Sequence, residues 1–81
     1  MAQVLREVAG LHYALHQYAQ AVDAATAALA IQIPDRVAYR IRGLAHDAMN
    51  NRAQAVQDLQ RAAQLGDVEA QRTLQAWGET W

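Results

Sequence analysis

Apolar residues recur along the first third of the chain at the spacing of amphipathic helices. One run extends from Val4 to Leu15 in steps of three and four residues, and a second extends from Ala21 to Leu29. This spacing places the apolar side chains on one face of each helix. Only a short polar break at residues 16–17 separates the two runs. We therefore expect the two helices to fold back on each other as an antiparallel hairpin.

Residues that end or begin helices divide the rest of the chain. Pro34 disfavours the α conformation at the residue before it, and Asp35 can cap the helix that follows. The pair Asn50–Asn51 predicts a turn inside a second hairpin, because asparagine tolerates left-handed backbone. The pair Gly66–Asp67 predicts the end of a fourth helix and the cap of a fifth.

The chain contains an internal repeat with an offset of 34 residues. The string AQAV begins at Ala19 and again at Ala53. The same offset, without a gap, relates Arg6 to Arg40, His12 to His46, Ala14 to Ala48 and Ala28 to Ala62. We predict a single domain over residues 1–81, with repeat one at about 2–34, repeat two at about 36–67 and a capping helix at about 68–77.

The residues at equivalent positions resemble the tetratricopeptide repeat family, whose pattern combines small residues with large apolar ones at fixed spacing. Copy one supplies Leu5, Val8, Ala9, His12, Ala21, Ala25 and Ala28, and copy two supplies Tyr39, Arg42, Gly43, His46, Ala55, Leu59 and Ala62. The resemblance covers residues 3–77. It implies an all-α fold of helical hairpin repeats, an α–α superhelix with five antiparallel helices. The small residues at positions 21, 28, 55 and 62 are expected where helices touch.

Composition and charge narrow the function classes. The net charge is −1, which gives no field that would favour nucleic acid or an anionic membrane as partner. Cysteine is absent, and the first residues carry Arg6 and Glu7 before any long apolar run, which is not the pattern of a signal peptide or a membrane span. These features predict a cytoplasmic protein without a membrane partner.

The sequence offers little material for catalysis. Serine and cysteine are absent, the three threonines are scattered, and no glycine-rich loop exists to hold phosphate. His12 and His16 lie four residues apart, but no carboxylate completes a metal-binding motif between them. The carboxylates expected on solvated helix faces and ends are Asp23, Asp35, Asp47, Asp58 and Glu69. We predict no metal, no cofactor and no enzymatic activity.

Three arginines stand at equivalent repeat positions. Arg6 and Arg40 are related by the repeat offset, and aligning residues 69–70 to the start of a third repeat adds Arg72. In the tetratricopeptide family this position of each first helix faces a concave groove that binds extended peptides. The predicted groove consists of Arg6, Tyr13, Arg40, Leu44, Asp47 and Arg72. Guanidinium groups suit an acidic peptide; the alternative is a solvated face whose arginines pair with Glu7 or Asp47.

Three functions remain open at this stage. The leading hypothesis is an interaction scaffold that binds a partner protein or peptide in the groove. The first alternative is a homo-oligomerisation or structural module, whose contacts would include the terminal Trp77 and Trp81, in a chain that is a fragment of a longer repeat protein. The weakest is RNA binding by helical repeats, suggested by the arginines between residues 36 and 42.

Overall fold

The computed structural model describes all 81 residues as five α-helices joined by short connections, with no strand. The helices are α1 (Ala2–Ala14), α2 (Tyr18–Ile31), α3 (Arg36–Ala48), α4 (Arg52–Gln64) and α5 (Val68–Ala76). The prediction of an all-helical chain with five helices is confirmed. None of the five combines the length and the apolar character that crossing a bilayer requires.

Four helices end in the same way, with one residue in left-handed backbone. These residues are His16, Asn50, Gly66 and Gly78, whose φ angles are 61°, 64°, 93° and 74°. In each case the N–H of the next residue returns to a carbonyl five positions back, for example from Gln17 to the carbonyl of His12 at 2.8 Å. This bond satisfies carbonyl groups that would otherwise lack a partner at the helix end. The turns predicted at Asn50 and Gly66 are confirmed.

Two aspartates begin α3 and α5. The Asp35 carboxylate accepts hydrogen bonds from the backbone N–H groups of Val37 (3.1 Å) and Ala38 (3.2 Å). The Asp67 carboxylate accepts one from the N–H of Ala70 at 2.9 Å. Both caps were predicted from the sequence, and both are confirmed.

Each helix packs against its neighbour in the chain, and α1 also contacts α3. Ala21, Ala28, Ala55 and Ala62 are all completely buried, which confirms that small residues stand at the helix contacts. The core consists of nine buried residues: Ala28, Leu29, Ala38, Tyr39, Leu59, Ala62, Ala63, Ala70 and Leu74.

Helix α1 takes the smallest part in this core. None of the nine core residues belongs to α1, and only Leu5 of this helix packs against the cluster from a partly buried position. The buried residues of α1 are two alanines, Ala2 and Ala9. Most of the larger apolar side chains of α1 must therefore lie elsewhere than in the core.

Candidate interaction surfaces

The predicted groove residues are distributed over α1, α3 and α5. Tyr13 of α1 and Asp47 of α3 lie near each other: burial raises the pKa of Tyr13, and the charges of Tyr18 and Asp47 raise it further. The Tyr13 and Tyr18 rings are 5.6 Å apart between centroids. Asp47 is paired at 2.8 Å with Arg52 of α4. In the predicted groove, Tyr13 therefore packs against Tyr18, and Asp47 is neutralised by Arg52.

Two of the three predicted groove arginines are already paired within the chain. Arg6 donates a hydrogen bond to Asp35 at 3.0 Å, and Arg40 donates one to Glu69 at 2.8 Å. The Nε atom of Arg40 also lies 3.6 Å from the buried carboxylate of Asp67. Arg6 and Arg40 are thus engaged by carboxylates of the chain, and these carboxylates are neither Glu7 nor Asp47.

These ion pairs join one hairpin to the next element along the chain. Both Arg6–Asp35 and Arg40–Glu69 span 29 residues. Asp35 is also the cap of α3, so one carboxylate both begins a helix and receives the arginine of the preceding hairpin. Arg72 is exposed and has no hydrogen-bond or ion-pair partner within the chain. It is the one groove arginine that is free for a ligand.

Replacing Asp67 with alanine is expected to lower the free energy of unfolding by about 1 to 3 kcal/mol, because the change removes a buried helix cap. It also removes the carboxylate that lies 3.5 Å from Arg36 and 3.6 Å from Arg40. The matched control is Glu69→Ala, which loses only an ion pair whose glutamate side chain is 71% exposed. This control should cost less than about 1 kcal/mol. Urea unfolding followed by circular dichroism checks both; equal losses would contradict the role of the cap.

A second charged network lies between α2, α3 and α4. Arg42 donates two hydrogen bonds of 2.9 Å to the two oxygens of Asp58, and a third of 3.2 Å to Thr26. The hydrogen bond to Asp58 raises the pKa of Arg42. The Nε2 atom of His46 lies 4.0 Å from Asp58. Both oxygens of Asp58 are therefore held by one guanidinium group.

The burial of two aspartates corrects one expectation. Asp35 and Asp58 were expected on solvated surfaces, but both are buried, because each is held by backbone N–H groups or by an arginine. Two adjoining pockets of about 400 and 250 Å³ share Arg42, Gln57 and Asp58. Their remaining walls are mainly glutamine, arginine and other polar side chains, and neither pocket reaches the predicted groove residues.

Two of the three histidines make local hydrogen bonds. His12 pairs with Gln17 at 2.7 Å, and His16 pairs with Tyr18 at 2.9 Å. No group of three or more histidine, cysteine, aspartate or glutamate side chains is arranged to hold a metal ion. The two imidazoles that lie four residues apart thus each contact a different partner in the first interhelical turn.

The two tryptophans differ in their surroundings. Trp77 packs against the core, and the guanidinium carbon of Arg52 lies 3.7 Å from the centre of its ring. Trp81 is 42% exposed, and its backbone carbonyl accepts a hydrogen bond from Gln64 at 3.3 Å. Of the two residues predicted for self-association, Trp81 is thus the more accessible.

The apolar run from Val4 to Leu15 was predicted from the sequence as one face of an amphipathic helix, but its exposure was not. Val4, Val8, Leu11 and Leu15, which we name the α1 stripe, are 53%, 37%, 60% and 58% exposed. They follow one another in steps of four, three and four residues, so Val4, Val8 and Leu11 lie along one side of α1, and Leu15 continues this line at the residue that caps its C-terminus. No other element of the chain covers them.

The equivalent side of the second hairpin has different surroundings. The 34-residue offset relates the α1 stripe to Ala38, Arg42 and Ala45 of α3 and to Met49, the C-terminal cap of that helix. There, Ala38 and Ala45 are completely buried, and Arg42 reaches across to Thr26 of α2. In the second hairpin this side packs against α2, whereas the equivalent side of α1 is exposed. Comparing the two copies position by position would have shown this from the sequence.

Comparisons with protein-family models, with curated proteins and with solved structures found no match to this chain. The two hairpins of the chain can nevertheless be compared with each other, because the 34-residue repeat relates their positions. It relates a covered side of α3 to an uncovered side of α1.

Proposed function

We propose that this chain is a protein-interaction module, a short helical-repeat domain of the tetratricopeptide type that binds another polypeptide and catalyses no reaction. The 34-residue sequence repeat, the two successive helical hairpins and the buried small residues support this assignment. The carboxylate that lines both pockets, Asp58, is held by Arg42 and is therefore not placed to act as a general acid or base, which favours binding over catalysis.

The α1 stripe is the observation that carries the proposal. Repeat domains bury each helix pair against the next, and their outermost faces are polar where they end in water. The α1 stripe is apolar instead, and contiguous exposed apolar surface is typical of protein contact sites. Its closest equivalent, on α3, is covered by a helix. A helical segment of a partner therefore fits this surface best.

The predicted groove is a second candidate for binding, favoured by the free guanidinium group of Arg72. Its other charges are balanced, since Arg6, Arg40 and Asp47 each have a partner in the chain. An acidic peptide would have to displace these partners, which leaves a weak and salt-sensitive contact at Arg72. The same pairing leaves no continuous basic stripe for RNA.

Selection of ligands from a random peptide library, with the full chain as bait, tests the proposed function. We expect enriched peptides with aliphatic residues three and four positions apart, the signature of a helix that docks by one face. Leu11→Arg should weaken their binding by at least about tenfold, because it places a charge in the α1 stripe. Arg72→Glu is the matched control in the groove and should leave their binding unchanged.

The opposite pattern would favour the groove: acidic peptides whose binding is lost with Arg72→Glu and retained with Leu11→Arg. Failure to enrich any peptide that responds to either variant would contradict the proposed function. Binding can be measured by fluorescence anisotropy of labelled peptides at low and physiological salt, which separates ionic from apolar contacts.

A further inference from the structure

The helix that would pack on the α1 stripe is not part of this chain's own fold, but a second copy of the chain carries a suitable one. Resting on the proposed function, we propose that the α1 stripe of one copy packs against the α1 stripe of a second copy, in an antiparallel helix pair with a two-fold axis between Val8 and Leu11. In this pairing Val8 lies opposite Leu11 of the second copy, and Val4 lies opposite Leu15 of the second copy. The interface is closed, so association stops at the dimer.

The spacing of the stripe suits a helix of its own kind. Steps of four, three and four residues average about 3.7 residues, close to the 3.6 residues per turn of a straight α-helix. The stripe therefore runs nearly parallel to the helix axis, and a second short helix can pack along it. No charged residue interrupts the stripe, and Glu7 is the one carboxylate beside it on α1. A self-complementary apolar seam is what an isologous contact requires.

The order of side-chain sizes selects the antiparallel direction. The stripe begins with two valines and ends with two leucines. An antiparallel pair sets each small side chain against a large one, so the helix axes stay evenly spaced. A parallel pair would set valine against valine and leucine against leucine, and would also bring two helix N-termini of equal charge together.

The polar side of α5 disfavours a head-to-tail arrangement. The caps Asp35 and Asp67 align α3 with α5, and this alignment sets Gln71 and Gln75 of α5 at the positions of Tyr39 and Gly43 in α3. Gln75 is exposed and Gln71 is partly exposed. The Gln71 amide nitrogen already donates to the carbonyl of Ala63 at 3.0 Å. An apolar stripe placed here would remove the Gln75 amide and the Gln71 Oε1 atom from water without offering a hydrogen-bond partner. Packing against the α1 stripe of a second copy buries no polar group of the stripe and so avoids this desolvation cost.

The size of the surface sets the expected strength. Helix α1 has 13 residues and is about 20 Å long, so a contact between two such helices is smaller than the roughly 800 Å² per partner of a standard interface. We expect a reversible dimer with a dissociation constant on the order of ten micromolar.

Sedimentation equilibrium of the full chain from 1 to 200 micromolar is the first test. The average mass should rise from monomer to dimer, and Leu11→Arg and Val4→Arg should each keep the chain monomeric. Val68→Arg is the matched control, because Val68 is 54% exposed, close to the 53% of Val4, but lies on α5; it should dimerise like the unmodified chain. Circular dichroism and thermal melting check that all variants fold.

Disulfide trapping tests the direction, and the chain has no cysteine of its own. Val8→Cys should form a covalent dimer on oxidation. Val4→Cys alone should not, because its two copies would lie about 16 Å apart along the axes, beyond the ~7 Å between Cα atoms that a disulfide spans. A mixture of Val4→Cys and Leu15→Cys should form the mixed dimer.

A chain that stays monomeric at 200 micromolar, a dimer that survives Leu11→Arg, or efficient Val4→Cys self-linkage would each overturn the proposal. These failures are separable from failure of the proposed function. A monomer that still binds selected peptides through Leu11 keeps the interaction module and removes only the second copy as its occupant.

Discussion

Gly43→Ala is expected to destabilise the protein, although alanine is the better helix former. A Cβ atom at residue 43 would lie 2.9 Å from the Cγ of Leu59 and 3.2 Å from the carbonyl oxygen of Ala55. The oxygen belongs to the backbone of α4 and cannot move without the helix. Overpacking of this kind costs about 1 to 3 kcal/mol, which exceeds the gain of about 1 kcal/mol from helix propensity. The result should be a net loss at the tightest contact between α3 and α4.

Gly10→Ala is the matched control, since both glycines lie inside helices. A Cβ atom at residue 10 would lie 3.7 Å from the side chain of Ile41, which is an ordinary contact. Gly10→Ala should raise the free energy of unfolding by about 0.5 to 1 kcal/mol. A change of about 1 kcal/mol shifts the melting temperature of such a small domain by roughly 4 to 8 °C. Thermal melting should therefore show a lower melting temperature for Gly43→Ala and a higher one for Gly10→Ala. A stabilised Gly43→Ala would show that α3 and α4 can separate at low cost.

Local features of the fold could be predicted from the sequence, because they depend on residues close to one another in the chain. Asp35 and Asp67 cap helices through N–H groups two and three residues away. Asn50 and Gly66 stand where a helix must end in left-handed backbone. Ala55 is buried as its place in the repeat predicts. The break at residues 16–17 was predicted, but the left-handed backbone of His16 was not, because the hairpin turn sets it and the residue type does not favour it.

The partners of charged side chains could not be predicted in this way. Arg6 has Glu7 beside it in sequence, but it bonds to Asp35, which is 29 residues away. That pairing depends on how one hairpin sits on the next, and periodicity within a helix carries no information about it. The exposure of Leu11 has the same origin, because it depends on which helices pack against α1. Only the comparison with Ala45, at the equivalent position in α3, reveals it.

Arg42→Leu is expected to destabilise the protein by about 2 to 3 kcal/mol. The change removes both hydrogen bonds of 2.9 Å that hold Asp58, whose side chain is only 11% exposed. Removing one partner of a buried ion pair usually costs about 3 to 5 kcal/mol. The expected loss is smaller here, because the Arg42 side chain is 23% exposed and the neighbouring pockets admit water to the carboxylate.

Removing the other partner of the ion pair, in Asp58→Leu, should lower the free energy of unfolding by about 1 kcal/mol. Arg42 keeps its bond to Thr26 and has a long, partly exposed side chain that can turn toward water. In the double variant no charge is left buried, so its stability should return to within about 1 kcal/mol of the unmodified chain. Urea unfolding of all four proteins completes a double-mutant cycle. If the losses of the two single variants simply add in the double variant, Arg42 and Asp58 are not coupled, and the residues around them, not the ion pair, hold α3 and α4 together.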